Sequence, residues 1–562
     1  MARLALVSAA ICLLAAIVPT AASARPGDVD ASFGTGGQTI FSSQPGARST
    51  GLVGLPDGKL LLAGGELALG HLSGQLARFT ADGAIDPTFS SAALPSTFGA
   101  GGDPVVLGDG RIVVAGAHTE AGQPPGPSRS SFAAMRLLAD GRPDPTFGTN
   151  GLAVVSGGGD LARSSGAIVQ ADGRIVLLGM ASPPGGSGDW GAAAARLTPD
   201  GALDESFDGD GWARLEVPGS SGLVYEGRQA AGGKLLIAGE FDRKDTQQPD
   251  YHWTLIRLEP DGSKDATFDD DGVSQPSFHG QGGTFSEFAV DAAGRLLLAG
   301  GALQGGTHGW GISRATPDGE PDPTFGDGGR VWMQPPGTDP ANPLIGAADR
   351  VAVQEDGRIV VSGNRSAALD GTRLVSGWAL ARLLPDGRLD PDFGDAGWST
   401  TAMGFGDRLW PSGLVRTPEG KVVMSGEATE CGHGAIALVR FHAENDDAGS
   451  ADDAGPAMRT CDPVVEAEPD GDLPIEVGCP FTEDVCRGTG VVEIPNADVV
   501  VGRKSFKLRG ARSGTIRVRA SRRARRYIAH PRGVRAQVVY TTKDGEGHRR
   551  VTRRKLRLKR AG

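Results

Sequence analysis

Between Asp28 and His442 the chain repeats itself seven times, and a repeated unit that cannot bury its own apolar face must stack on its neighbours. The clearest marker is Asp-x-(Thr/Ser/Asp)-Phe before glycine-rich residues. Its phenylalanines, Phe33, Phe89, Phe147, Phe207, Phe268, Phe325 and Phe393, are spaced 56, 58, 60, 61, 57 and 68 residues apart. A second marker is a turn followed by an apolar run and glycine, as in Asp57-Gly58 before KLLLAG, Asp109-Gly110 before RIVVAG and Asp172-Gly173 before RIVLLG. It recurs at Gly232-Gly233, Ala293-Gly294, Asp356-Gly357 and Glu419-Gly420. The third is a short apolar segment ending in arginine, at Arg78, Arg136, Arg196, Arg257, Arg314, Arg382 and Arg440.

Each unit reads as four strands: one after the Phe-Gly turn, one before the Asp-Gly turn, the apolar run after it, and the arginine-ended strand. Asp-Gly and Gly-Gly between such runs favour tight hairpins, because glycine adopts positive φ without a Cβ clash. Runs such as RIVVAG are apolar on both faces and need neighbours on both. Radial stacking of four-stranded units supplies them. The expected fold class is therefore all-β: a seven-bladed β-propeller over 25–442, with N- and C-terminal strands closing one blade, plus a small C-terminal β-sandwich. A linear β-solenoid is the competing architecture.

One separation stays constant while repeat length varies. Each strand-ending arginine precedes the next turn aspartate by eight residues: Arg78 and Asp86, Arg136 and Asp144, Arg196 and Asp204, Arg257 and Asp265, Arg314 and Asp322, Arg382 and Asp390. An arginine fork grips a carboxylate through two parallel hydrogen bonds, so each pair is expected to staple its turn. A solvated pair, worth about 0 to 1 kcal/mol, is the alternative. Arg440 and Asp30 lack partners under this rule. Ring closure would join them, with the strand near Gln38 to Phe41 completing the last blade.

The ends of the chain carry different signals. Arg3 precedes an apolar run from Leu4 to Val18, and the small residues Ala22-Ser23-Ala24 form a cleavage signal, so 1–24 reads as a signal peptide. That run is shorter than the roughly 18 to 25 residues that span a bilayer, and no later segment is long and apolar enough to do so. The mature chain is expected in the extracytoplasmic space or cell envelope. Cys431, Cys461, Cys479 and Cys486 then remain, an even number where disulfides persist. Of three possible pairings, closeness favours Cys479 with Cys486, leaving Cys431 with Cys461.

The net charge of -11 conceals a division. Residues 443–499 hold 15 acidic and 2 basic residues, whereas 500–562 hold 2 acidic and 22 basic. An acidic, disulfide-containing connector, 443–489, is therefore expected before a basic β-domain, 490–562. Within the latter, Ile516, Val518 and Ala520 alternate with Arg517 and Arg519 as in a half-buried strand. Ser521 is placed to cap a helical turn through Arg526, and Val534 to Thr541 reads as a further strand.

Together the Asp-Gly-x-x-Asp-x-Thr-Phe-Gly turn and the Asp-Gly-(Lys/Arg)-(Ile/Leu)-(Val/Leu)-(Val/Leu)-(Ala/Leu)-Gly run resemble the delta-60 repeat family, β-propeller repeats of bacterial secreted proteins. The resemblance covers Asp28 to His442 and implies export and a propeller, with no settled activity. Departures are Ser90 after Phe89, Asp208 after Phe207 and Asp269 after Phe268. The tail, with Cys479, Pro480, Cys486 and Gly488, is similar to a small β-domain at the ends of secreted proteins from high-GC bacteria.

Chemistry is sparse. The chain lacks G-x-S-x-G, H-E-x-x-H and G-x-x-x-x-G-K-(S/T), so the common serine-hydrolase, zinc-protease and P-loop signatures are missing. No catalytic, cofactor-binding or metal-ligating residue is identified, and no cofactor is expected. The turns Asp208 to Gly211 and Asp269 to Gly272 offer hard oxygens, with surface calcium as one reading, but Gly219 and Gly280 stand where an EF-hand loop needs glutamate. The basic tail, including Arg522, Arg523, Arg525 and Arg526, suits an anionic envelope polymer better than nucleic acid, because export removes chromosomal DNA and stacking aromatics are few. The expected function is a monomeric, noncatalytic binding scaffold whose partner is a protein or an anionic envelope polymer. The alternative is a propeller-fold extracellular hydrolase or lyase with a motif-less site in the central channel.

Overall fold

The computed structural model describes all residues except 1–23, 36, 42–46, 69–70, 91–93, 121–128, 156–161, 183–190, 244–249, 277, 279–282, 339–345, 369–373, 403–409, 431–432, 445–458, 461–463, 469–471, 479–484, 498, 510–512, 530–533, 544–548 and 561–562. The expected signal peptide therefore lies outside the described residues, apart from Ala24. So do Cys431, Cys461 and Cys479, and the side chain of Cys486.

Every repeat begins with a strand that leads into the Asp-Gly-type turn. These first strands are Ala47–Gly54, Phe98–Ala100 with Val105–Val106, Ala162–Val169, Ser220–Gln229, Phe285–Val290, Ala348–Val353 and Pro411–Arg416. The apolar run forms the second strand and the arginine-ended segment the third, all antiparallel. Four repeats complete a four-stranded sheet with a short outer strand after the phenylalanine. Repeats one and two instead share an eight-stranded sheet, because Phe98–Ala100 pairs at Gly99 with Ser73 of the preceding third strand and across Ala117 with the following second strand. The remaining sheet draws its outer strand from the other end of the chain: Gln38–Phe41 pairs with His433–Phe441, Gln38 opposite Val439.

The apolar runs bury both faces because each sheet packs on the next. Val113, Ala115 and Phe132 share one core with Ile175, Leu177 and Ala195. Leu235, Ile237 and Ile256 meet Val176, Leu178 and Ala194. The same packing joins the ends of the array, where Leu52, Leu60 and Leu62 share a core with Val423, Ile436 and Leu438.

The first strands carry a feature that hydrophobic patterning does not reveal. Six of them contain a β-bulge, at Thr50, Ser165, Tyr225, Ser286, Asp349 and Ser412. A bulge adds one unpaired residue and bends its strand. It also accounts for the glycine that ends each apolar run. A Cβ at Gly363 would lie 2.2 Å from the carbonyl oxygen of Ala347 and 2.5 Å from the Trp310 ring, so only glycine lets the bent strand approach.

The C-terminal strands form two sheets. Arg459–Thr460, Asp472–Gly478 and Ser513–Arg519 make one, while Val464–Ala467, Val485–Ile494, Val499–Arg509, Val534–Lys543 and Arg549–Arg560 make the other. The pairing draws Arg459–Thr460, Val464–Ala467 and Asp472–Gly478 of the acidic stretch into the sheets, Asp472 lying opposite Arg519 and Val464 running parallel to Arg557. Leu473 and Ile475 are fully buried, because the strand that carries them lays its apolar face against Ile516 and Val518. Ile516, Val518 and Ala520 are buried while Arg517 and Arg519 are exposed. Ser521 caps the helix Arg522–Ile528, its side chain accepting from Ala524 N. Phe506 and Tyr540, which look isolated along the chain, meet edge to face with centroids 6.2 Å apart.

Candidate functional site

Two polar systems stand out: one repeated in every unit, the other not. In the repeated one, Arg78 donates from Nε to Asp86 Oδ2 at 2.8 Å, from Nη1 to the Ala139 carbonyl of the next repeat at 2.7 Å, and from Nη2 to Thr88 Oγ1 at 3.1 Å. Its guanidinium lies over the Phe89 ring, 4.8 Å from the centroid. The arrangement recurs at Arg136 with Asp144, Arg196 with Asp204, Arg257 with Asp265, Arg314 with Asp322 and Arg382 with Asp390. In each, Nη1 reaches a carbonyl of the following unit, those of Pro199, Pro260, Pro317, Pro385 and Ala443. Arg440 donates to Asp30 Oδ2 at 2.8 Å, to the Ala81 carbonyl at 2.5 Å and to Ser32 Oγ at 2.9 Å, and it lies over Phe33.

This geometry corrects the expectation of two parallel bonds to one carboxylate. Each fork divides its donors among a carboxylate, a hydroxyl or turn residue, and a carbonyl one repeat away. The other aspartate oxygen is occupied by the turn itself: Asp144 Oδ1 accepts from Thr146 N at 2.9 Å and Thr146 Oγ1 at 2.7 Å. The motif's aspartate, hydroxyl residue, phenylalanine and arginine thus form one interlocking set. Burial would raise the Asp144 carboxyl, yet the hydrogen bonds from Thr146 and Arg136 hold it down at about 2. Asp30, Asp204 and Asp322 are lowered against the same opposing effect of burial.

A second cation on each aspartate escaped the sequence reading. Lys59, Arg111, Arg174, Lys234, Arg295, Arg358 and Lys421 approach Asp86, Asp144, Asp204, Asp265, Asp322, Asp390 and Asp30, respectively, within 2.7 to 3.9 Å. The signal was present, because a Lys or Arg follows all seven Asp-Gly-type turns. At two departures from the turn pattern, Asp208 and Asp269 adopt φ of 51° and 47° in the place glycine takes elsewhere. Among the described residues, no group of three His, Cys, Asp or Glu side chains is placed to hold a metal ion.

The unrepeated system lies in a cavity of about 1070 Å³ lined by the first strands of all seven repeats. Counted back from the turn, the position that follows the bulge reads Gly51, Asp103, Gly166, Glu226, Glu287, Arg350 and Gly413. Four of these seven equivalent positions are charged, and three of the four fall in consecutive repeats. Glu287 is buried and takes Arg350 Nε on Oε2 at 3.1 Å and Arg228 Nη2 on Oε1 at 3.5 Å. Arg350 also donates to the carbonyls of Ser412 at 2.9 Å and Asp349 at 3.0 Å, while Arg228 donates to the Phe288 carbonyl at 3.3 Å. Glu226 accepts from Phe288 N, and the exposed Arg163 lines the same space.

The channel carboxyls are shifted opposite to those of the turns. Burial, reinforced by the charge of Glu287 and opposed by Arg228, pushes Glu226 well up. Burial likewise raises Asp103 against the pull of Arg350, and it raises Asp349 to about 7. Gly51 leaves the room that Asp103 fills, since a Cβ there would meet the Asp103 carboxyl and Cα. The long loops that break the repeat, Gly122 to Ser131 and Asp242 to Tyr251, lie largely outside the described residues, as do parts of the 68-residue unit. The ionisable groups of the channel come instead from the inner strands.

Six stretches of the chain, residues 55–89, 107–147, 170–207, 233–268, 294–325 and 354–393, match the family model of a domain of unknown function, DUF5122, described as a beta-propeller. A comparison with curated proteins finds no match. Among solved structures the chain is similar to an ulvan lyase of polysaccharide lyase family PL25, at 10% identity and a TM-score of 0.38 over 75% of this chain and 96% of that one. It is similar to a glucose dehydrogenase at 12% identity and a TM-score of 0.32 over 71% and 99%. A third likeness is to the Bombyx mori GH32 beta-fructofuranosidase, at 10% identity and a TM-score of 0.30 over 92% and 90%. Likeness this distant says nothing about the chemistry of this chain.

Proposed function

With six repeats matching a beta-propeller family as the premise, we propose that this is a secreted, envelope-associated β-propeller that acts as a noncatalytic binding scaffold. On this reading, residues 1–24 are a cleaved signal peptide, and residues 25–442 form seven blades closed by Gln38–Phe41. The observation that carries the reading is the role of the repeated polar residues. Each Arg–Asp–Phe set reaches a carbonyl of the neighbouring repeat, so what the sequence conserves from unit to unit holds the array together. Repeated chemistry of this kind builds a frame, and function falls to what differs between units: the channel and the tail.

The tail carries the contact with the envelope. Residues 500–562 hold 22 basic and 2 acidic residues, and Arg522, Arg523, Arg525 and Arg526 are exposed on one short helix. Attraction to an anionic polymer falls off over about 8 Å at physiological ionic strength. Retention of the full chain on envelope material should therefore weaken as salt rises, and removing residues 500–562 should release it. Retention that stays unchanged from low to high salt would refute the electrostatic attachment.

A further inference from the structure

We propose that the channel is a receptor for the carboxylate of an organic acid, bound by Arg228 and Arg350, which buried Glu287 holds side by side, and completed by Arg163. The inference deepens the binding-scaffold reading and rests on it. Its starting point is a break in symmetry. Of seven equivalent positions, six of them after a bulge, charge appears at Asp103 and then at Glu226, Glu287 and Arg350 in three successive repeats, while Gly51, Gly166 and Gly413 occupy the others. The charged side chains tie neighbouring first strands together, through Arg350 to Ser412 and Arg228 to Phe288, and they do so on one side of the channel only.

The arrangement has the logic of a prepared anion site. Glu287 is shielded from water, its side chain 8% exposed, and binds one guanidinium through each oxygen. One negative charge thus orients two positive ones. Arg228 is half exposed at 52%, and its contacts to Glu287, to Glu226 at 4.0 Å and to the Phe288 carbonyl all run through Nη2, so Nε and Nη1 are open to a ligand. Arg350 engages Nε and Nη1, leaving Nη2. Arg163 adds a third, exposed guanidinium to the lining. A planar fork with free parallel donors matches a carboxylate.

The other acids offset this charge only in part. Burial favours the protonated form of Glu226 and brings Asp349 to about 7, whereas Asp103, raised to about 6, is mostly ionised near neutrality, so Asp103 and Glu287 leave the three guanidinium groups of the lining in excess. The cavity, about 1070 Å³, accommodates a sugar acid and the end of an acidic chain alike. The same carboxylate can belong to a free acid or to an acidic polysaccharide, and probe length separates the two.

The test is titration calorimetry of the full mature chain with D-galacturonate, its linear trimer and uncharged D-galactose. Binding of an acid but not of galactose is expected, with Arg228→Gln weakening it about tenfold, the loss of one charge-assisted contact. Arg350→Gln should weaken it as much, but Arg350 also ties neighbouring strands, so Arg228→Gln with an unchanged melting temperature is the deciding variant. Binding of the monomer assigns the site to free acids; binding of the trimer alone assigns it to acidic polymers. No binding of either acid, or equal binding by wild type and Arg228→Gln, overturns the proposal. Salt-sensitive retention on envelope material would persist in that case, so the scaffold reading fails or stands separately. Acid binding followed by product formation would keep the site and overturn the noncatalytic reading.

Discussion

Arg440 and Asp30 join the two ends of the repeat array, and their removal offers a quantitative test of ring closure. Asp30 is 4% exposed and lies 2.8 Å from Arg440 Nε. Arg440→Met would leave this carboxylate with Lys421 at 3.8 Å and would break the bond to the Ala81 carbonyl. Breaking a buried pair costs about 3 to 5 kcal/mol, and the remaining lysine reduces that to about 2 to 4 kcal/mol. With an unfolding entropy of about 2.1 cal/mol/K per residue over roughly 400 residues, the melting temperature should fall by about 2 to 5 °C. Arg314→Met, at the equivalent internal site beside Asp322, serves as the reference. Differential scanning calorimetry of both variants, with Asp30→Asn to complete a double-mutant cycle, gives the comparison. A closed ring requires similar losses at both sites and a coupling between Arg440 and Asp30 of at least about 1 kcal/mol. A loss of under about 1 kcal/mol at Arg440 beside a large one at Arg314 is what an exposed pair gives, and it would refute closure.

The stability that Asp144 and Asp349 contribute should peak near pH 4 and decline on either side. The turn carboxyl of Asp144, held at about 2, stabilises the fold above its unfolded value near 3.9 and loses that contribution as pH falls towards 2. Asp349, raised to about 7, does the opposite: its contribution is complete below about 4 and is lost as pH rises through 7. Melting temperatures that climb steadily from pH 2 to 9 would contradict this balance. Gly363→Ala should lower stability by about 1 to 3 kcal/mol or more, because the added Cβ meets the Ala347 carbonyl at 2.2 Å; a neutral effect in urea unfolding would show that the bulged strand yields. Peptide mapping without reduction should recover Cys479 linked to Cys486, and finding Cys431 and Cys461 as free thiols would remove the second expected bridge.

Much of the molecule was legible from spacing alone, for a physical reason. A repeat must satisfy the same local constraints seven times, so residues that build the frame recur at fixed offsets. The arginine and aspartate eight residues apart, the turn glycines and the apolar runs are all of this kind, and so are the strand alternation around Ile516 and the Ser521 cap. The cations after the Asp-Gly turns were equally regular, at Lys59, Arg111 and their five counterparts, but the target is about thirty residues away in six of them and at the other end of the array for Lys421, and no local pattern names it. What depends on neighbouring repeats required the tertiary structure. The arginine fork reaches a carbonyl about sixty residues on, a contact that only packing creates. The bulges at Tyr225, Ser286 and Asp349 insert a residue without disturbing the apolar pattern, and their three strands bring Glu226, Arg228, Glu287 and Arg350 to one channel. Along the chain these four are ordinary charged residues of short strands. Only the burial and mutual approach that folding imposes turn them into a site, because charge in water is screened whereas charge shared around a buried glutamate is held in place.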